Sequence, residues 1–241
     1  MTKPWRVPSC RTLALAPVVL LLAGFAFAKG DDTVQSATVD FPEIGTVRVA
    51  AIESVGALPR LVLVQRSNGR QLLARNVGTA EPGYPDFYLI HPGIGVAAPR
   101  LRFQVLRLHG LPDPLVVAAV MLPGGSDCHY EAVAIGAVKG QLAVLTGDPL
   151  RTLAEGGICI RGSRRGQTPM LLVWNFVWGH EGHYQPHHYE VSIFHFNATE
   201  SQFRLFLHVV SKRTYATGEE FLAGMGLRCH NLLSSFPDFG C

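Results

Sequence analysis

Short apolar runs rich in Val, Leu, Ile and Phe make up most of the chain after residue 45, and Gly, Pro, Asn or Asp interrupts them. Runs of this kind, bounded by turn-forming residues, are typical of β-strands, whereas amphipathic helices show longer segments of 3.6-residue period. We therefore predict an all-β fold of antiparallel strands with few helices. The clearest predicted strands are Thr46–Ile52, Leu61–Gln65, Leu101–Leu108, Leu115–Leu122, His129–Val138, Gln141–Leu145, Met170–Trp178, Tyr189–Phe196 and Phe203–Val210.

The last two predicted strands can be assigned face by face. Tyr189, Val191 and Ile193 share one face because side chains alternate along a strand. Phe203, Leu205, Leu207 and Val209 share a face of the second strand by the same rule. The residues from 197 to 202 predict the hairpin connection between the two strands.

A weak internal repeat relates residues 47–64 to residues 101–117, with Gly56 and Gly110 lying 54 positions apart. A third copy begins near Ile158, with residues 167–173 in the place of its second strand. Self-similarity at this period is typical of four-stranded antiparallel meanders such as propeller blades. We therefore expect about three repeated meander units.

Two segments carry a resemblance to a known family. Gly110-Leu111-Pro112-Asp113-Pro114-Leu115-Val116-Val117 and the later Tyr189-Glu190-Val191-Ser192-Ile193-Phe194 resemble the integrin-α-type (FG-GAP or VCBS-like) propeller repeats of bacterial exported proteins. The resemblance covers about Thr46 to Tyr215 and implies a propeller-like fold. Such repeats often carry an Asp-x-Asp-x-Asp-Gly calcium loop, which this chain lacks, so calcium binding is not carried over. A partial propeller, packed sheets and self-association stay open.

The first residues predict export. Lys3, Arg6 and Arg11 precede an uncharged run from Leu13 to Ala28 that closes on a small-x-small pattern, as in a signal peptide. This run of 16 residues is too short to span a bilayer as a helix. We expect a secreted or periplasmic protein with no transmembrane segment after cleavage. The expected regions are a signal peptide (1–28), an N-terminal tether (29–45), a β-repeat domain (46–216) and a C-terminal cap (217–241).

Charge argues against a nucleic-acid partner. The chain has 21 Lys and Arg against 18 Asp and Glu, and the segment 1–28 holds three of the bases and none of the acids. The remainder therefore has no net charge with His neutral, and proteins that bind nucleic acid need an excess of bases.

Four cysteines remain after residue 28, namely Cys128, Cys159, Cys229 and Cys241. An even number in an oxidising compartment favours two disulfides. Of the three possible connectivities we favour Cys128–Cys159 with Cys229–Cys241, because both close local loops and the second would tie down the C-terminus. Sequence alone leaves the other two connectivities open.

A His-rich loop is the densest candidate for chemistry. His180, His183 and His187 could supply three imidazoles to Zn²⁺ or Cu²⁺, with Glu181 as a possible base. The spacing is not that of the His-Glu-x-x-His motif, because the second His is three positions after the first instead of four. The favoured interpretation is therefore a polar loop with no cofactor.

Aromatic residues of the same region suggest a binding surface. Trp174 and Trp178 are four positions apart and would share a strand face, with Tyr184 and Tyr189 nearby. Together these side chains could stack on sugar rings or on an apolar partner. For two tryptophans inside an apolar strand, however, the favoured interpretation is that they belong to the core.

The expected function is binding and not catalysis. The segment from Gly162 to Gly166 does not match the Gly-x-Ser-x-Gly nucleophile elbow. Arg161, Arg164 and Arg165 form a basic loop that could contact an anionic polymer, although a solvated turn is favoured. We expect an exported interaction module for a protein or a glycan. A metal-dependent hydrolase or oxidase using the His-rich loop is the alternative, and a purely structural envelope protein is a third reading.

Overall fold

The computed structural model describes residues 31–54, 58–77, 99–123, 128–153, 155–163, 167–179, 185–236 and 239. Within these ranges the chain forms thirteen strands, one α-helix and one 3₁₀ turn. The strands are β1 (Asp31–Phe41), β2 (Gly45–Ser54), β3 (Arg60–Gln65), β4 (Gln71–Asn76), β5 (Arg100–Leu106), β6 (Leu115–Pro123), β7 (Cys128–Val138), β8 (Gln141–Val144), β9 (Leu150–Leu153), β10 (Gly157–Arg161), β11 (Met170–Val177), β12 (His188–Asn197) and β13 (Gln202–Val210). The helix is α1 (Gly218–Gly224), and the 3₁₀ turn is Leu233–Ser235. No helix in the described part of the chain is long and apolar enough to cross a membrane.

The strands make three antiparallel sheets in which neighbours along the chain pair with each other. The first sheet has the order β1-β2-β3-β4, and the third sheet has the order β10-β11-β12-β13. The second sheet has the order β5-β6-β7-β8, and β9 also pairs with β7. The predicted all-β fold of antiparallel meanders is therefore confirmed.

The second sheet lies between the other two. On one of its faces, Val116, Ala118 and Val120 of β6 share a core with the first sheet. On its other face, Leu115, Val117 and Ala119 share a core with the third sheet. Because both faces are covered, β6 is a continuous apolar run instead of an alternating one.

Helix α1 covers the outer face of the third sheet. Phe221 and Leu222 of the helix pack with Leu172, Trp174 and Phe176 of β11. The helix starts at a side-chain cap, since the Thr217 hydroxyl accepts a hydrogen bond from the Glu220 N–H at 3.1 Å.

The expected hairpin is confirmed, with Asn197 opposite Gln202 at the ends of β12 and β13. The expected single face on β13 is wrong, because the register shifts between Ile193 and Phe194. This bulge leaves Phe203 in the core with the second sheet and turns Val209 toward the core under α1.

The N-terminal stretch differs from the expectation. Residues 31–41 were expected to lie within a tether, but they form β1, which pairs with β2 over its whole length. Val39 and Phe41 are buried in the core between the first and second sheets, so apolar burial holds this strand in place.

The two copies of the predicted repeat occupy different positions in their sheets. The run at Val47 belongs to the second strand of the first sheet, whereas the run at Leu101 belongs to the first strand of the second sheet.

The disulfide pairing is a further correction. Cys159 bonds Cys229, with their Cα atoms 6.0 Å apart, so both expected local pairings are wrong. Cys128 is disulfide-bonded as well. Cys241 lies outside the described residues.

Candidate functional site

The expected aromatic platform is not assembled at the surface. Trp174 is 0% exposed and Tyr189 is 1% exposed, so both belong to the core under α1. Trp178 lies just beyond the end of β11 and is 49% exposed. Tyr184 lies outside the described residues. The two buried rings therefore cannot stack on a ligand in this structure.

Tyr189 is held in its neutral form by its surroundings. Burial is the larger cause that raises the pKa of Tyr189 to about 12, and the carboxylates of Glu155, Glu219 and Glu220 add to the effect. The phenol ring stacks with Phe221 of α1, with the ring centroids 6.2 Å apart. Tyr189 therefore serves packing between the sheet and the helix.

His187, one of the three expected metal ligands, is also a buried packing residue. Its ring lies 5.0 Å from that of Phe176 and 6.5 Å from that of Trp178, measured between centroids. Its backbone pairs with Tyr215 through two hydrogen bonds of 2.9 and 2.8 Å. The Nε2 atom lies 4.0 Å from Oε2 of Glu155. These contacts fix the chain between the end of the His-rich loop and β12.

The other expected metal ligands, His180 and His183, lie outside the described residues together with Glu181. Within the described ranges no three His, Cys, Asp or Glu side chains lie close enough to hold a metal ion. The metal site belongs to the alternative hypothesis from the sequence, and it stays a prediction.

A surface cleft of about 690 Å³ opens where three segments of the chain meet. One wall is the end of β5 and the loop after it, a second is the end of β10, and a third is the C-terminal segment (residues 226–236). We call it the basic cleft, and its lining is Leu106, Arg107, Leu108, His109, Cys159, Ile160, Arg161, Gly162, Ser163, Gly226, Arg228, Cys229, His230 and Leu232.

Two glycines allow the first two walls to touch. A Cβ on Gly162 would lie 2.8 Å from the carbonyl oxygen of His109, which is closer than side-chain carbons approach. The Ser163 N–H donates a hydrogen bond to the same oxygen at 2.6 Å. Gly110 has φ +80°, and a Cβ there would meet Pro169 and Ser163 at 2.9 Å. The close contact fixes His109 beside Arg161.

The third wall is attached along the free edge of β10. The disulfide from Cys229 to Cys159 joins the C-terminal segment to this strand. The Leu232 N–H donates to the Ile158 carbonyl at 2.8 Å. The Asn231 side chain accepts from the Ile158 N–H at 3.1 Å and donates to the carbonyl of Gly156 at 3.3 Å. Because Arg228 and His230 flank Cys229, these bonds also place both side chains at the cleft.

The ionisable side chains of this lining are all basic. They are Arg107, His109, Arg161, Arg228 and His230, and no Asp or Glu is among the described residues of the lining. Arg107 pairs with Asp113 at 3.2 Å, but both side chains are at least half exposed, so the pair is weak. Because the described lining contains bases and no acid, it creates a positive potential that attracts anions.

Sequence reasoning identified one of these residues, Arg161, as part of a basic loop. The companions it expected, Arg164 and Arg165, lie outside the described residues. Arg107 and Arg228 were missed because they come from segments 54 and 67 positions away from Arg161. The contact between the loop after β5 and the end of β10 brings Arg107 to the cleft, and the path of the C-terminal segment along β10 brings Arg228 there.

A second cleft of about 350 Å³ opens between the second and third sheets. Its charged lining residues are of both signs, namely Asp148, Arg151, Glu190 and Arg204. Arg151 also pairs with the buried carboxylate of Glu131 at 3.1 Å. The charged residues of the second cleft are therefore balanced, with two acids and two bases.

No protein-family model, curated protein or solved structure matches this chain. The likeness to integrin-α-type propeller repeats therefore stays a prediction from the sequence.

Proposed function

We propose that this protein is an exported, non-enzymatic binding module that holds an anionic glycan in the basic cleft. The observation that carries the proposal is the set of five basic side chains that converge from three segments without an acid in the described lining. The volume of the cleft lies within the range of about 300–1,000 Å³ that is usual for small-ligand sites.

The chemistry of the three arginines suits sulfate or carboxylate groups. A guanidinium is planar and always charged, and it donates two parallel hydrogen bonds to such an anion. Arg107, Arg161 and Arg228 belong to three different walls, so a ligand with several anionic groups can engage them together. Leu106, Leu108 and Leu232 supply apolar surface between them.

The structure favours a glycan over an acidic peptide as the occupant. Peptides commonly bind β proteins by adding a strand to a free sheet edge. The edge at β10 is already covered by the C-terminal segment through Asn231 and Leu232. Phe, Tyr and Trp are absent from the described lining, so a neutral sugar has no ring to stack on and charge must carry recognition.

Isothermal titration calorimetry with a sulfated hexasaccharide and its unsulfated counterpart tests the proposal. We expect the purified protein to bind the sulfated form and to bind the unsulfated form at least about tenfold more weakly. Changing Arg107, Arg161 and Arg228 together to Gln should weaken binding of the sulfated form by about tenfold or more.

A matched control removes the same charge elsewhere. Arg48, Arg66 and Arg70 are exposed residues of the first sheet and its turn. Changing these three to Gln should alter the affinity by less than about twofold, an exposed-charge effect. Equal weakening of binding by both triple variants would show nonspecific charge attraction and would contradict a site in the basic cleft. Tighter binding of an oligo-glutamate of equal charge would contradict a glycan as the ligand.

A further inference from the structure

The basic cleft contains two imidazoles in addition to its three guanidinium groups. His109 lies on the loop after β5, and His230 lies on the C-terminal segment, so the two approach from different walls. Both side chains are exposed, so protons reach them from solvent without any opening of the fold.

The groups that face these imidazoles are cationic. Arg107 lines the cleft on the same wall as His109, Arg161 lies on β10, and Arg228 is two positions before His230. Asp113 forms an ion pair with Arg107 at 3.2 Å, but it does not line the cleft. An anion in the cleft would therefore supply the main negative charge beside either imidazole in its cationic form.

We infer that the basic cleft binds its anionic ligand in a pH-dependent way, with tighter binding in mildly acidic solution, because two of its five basic side chains, His109 and His230, are imidazoles. The inference rests on the proposed function. Histidine is the side chain that ordinarily gains its charge between about pH 8 and pH 5. Binding of an anion and protonation of a nearby imidazole favour each other, because each adds a favourable charge interaction for the other.

The expected gain follows from the strength of exposed charge pairs. Each new contact between a partly exposed cation and an anion strengthens binding by about 1.4- to 5-fold. Two such contacts predict an affinity about two- to thirtyfold higher at pH 5.5 than at pH 7.5. The arginines remain charged across this range, so binding persists at the higher pH.

Calorimetry with the sulfated hexasaccharide at both pH values tests the inference, because sulfate groups keep their charge throughout. In the double variant His109→Gln with His230→Gln, the ratio of the affinity at pH 5.5 to the affinity at pH 7.5 should fall close to one, because both imidazoles of the cleft are gone. The control His208→Gln changes an exposed His of β13 that lies outside the cleft lining, and it should keep the full gain.

The outcomes separate this inference from the proposed function. Binding that is equal at both pH values but lost in the Arg107, Arg161 and Arg228 variant would overturn the pH dependence alone. A gain that survives in the double His variant would also overturn it. Absence of binding at both pH values would overturn the proposed function and this inference together. Circular dichroism at both pH values confirms that each variant is folded.

Discussion

Trp174 owes its place in the core to two glycines from distant parts of the chain. A Cβ on Gly218, at the start of α1, would collide with the Cδ1 and Nε1 atoms of the indole ring. A Cβ on Gly157 would collide with the same ring from β10, at Cζ2 and Cε2. The indole therefore fills the space that the missing side chains leave, and this packing seats the helix on the third sheet.

Changing Gly218 to Ala should destabilise the protein by about 1–3 kcal/mol, the usual effect of overpacking a filled core. Gly224 of the same helix is the matched control. A Cβ there would lie 3.5 Å from the hydroxyl oxygen of Tyr215, an ordinary contact, so Gly224→Ala should be neutral or stabilising by up to about 1 kcal/mol. Urea unfolding of the two variants measures the difference, and equal stability of both would contradict the packing of Trp174 against α1.

Tyr189 should make the stability of the fold sensitive to alkali. Its pKa is raised to about 12 in the folded protein, whereas the ordinary pKa of a tyrosine is about 10. The unfolded chain therefore loses the phenol proton first, so the contribution to stability is complete below pH 10 and is lost as the pH rises toward 12. In Tyr189→Phe the decline in the free energy of unfolding between pH 9 and pH 11, followed by urea denaturation, should be shallower. An unchanged decline would show that other groups cause it.

In the third sheet, the sequence predicts which side chains share a face of a strand, but it does not predict whether Trp174 is buried or exposed. The alternation of Tyr189, Val191 and Ile193 correctly placed these side chains on one buried face. Whether Trp174 lies in the core or at the surface depends on Gly157 and Gly218, which lie 17 and 44 positions away. No local pattern contains that information.

At the scale of elements, the C-terminal segment determines the cleft. It runs beside β10 and is joined to it by the Cys159–Cys229 disulfide, a link of 70 positions. The sequence alone favours the pairings that close local loops and tie down the C-terminus, because it does not show the path of the chain. The return of the segment to the edge of β10 is a tertiary feature, and it makes the long-range pairing the one that forms.

Replacing Cys159 and Cys229 together by Ala should therefore affect both stability and binding. We expect a loss of about 2–4 kcal/mol in the free energy of unfolding, as for other native disulfides. Arg228 and His230 would no longer be fixed at the cleft, so affinity for the sulfated hexasaccharide should fall by about tenfold. Calorimetry below the unfolding temperature of the variant measures this effect, and an unchanged affinity would show that the hydrogen bonds of Asn231 and Leu232 hold the wall without the disulfide.

The hairpin of β12 and β13 shows how far local patterns reach. Its turn follows from Asn197, whose side chain accepts hydrogen bonds from the N–H groups of Thr199 and Glu200 at 3.0 and 3.3 Å. The bulge near Phe206 does not follow from the sequence, because the residues on both sides of it are apolar. The bulge lies where β13 passes from the core shared with the second sheet, which contains Phe203, to the core under α1, which contains Val209.

At the scale of the whole molecule, the stack of three sheets predicts an order of local stability. Strands β6 and β7 have paired neighbours on both sides and core on both faces, whereas β1, β4 and β13 are edges of their sheets. Native-state amide hydrogen exchange should be slowest in β6 and β7. Slower exchange in the three edge strands would contradict the layered arrangement.

Chemical-shift mapping with the sulfated hexasaccharide tests the central proposal most directly, because it shows where the ligand binds as well as whether it binds. We predict saturable changes that are largest in residues 106–109, 159–163 and 226–232, which form the three walls of the basic cleft. Saturable changes centred instead on the cleft between the second and third sheets, or around Trp178, would contradict the proposed function.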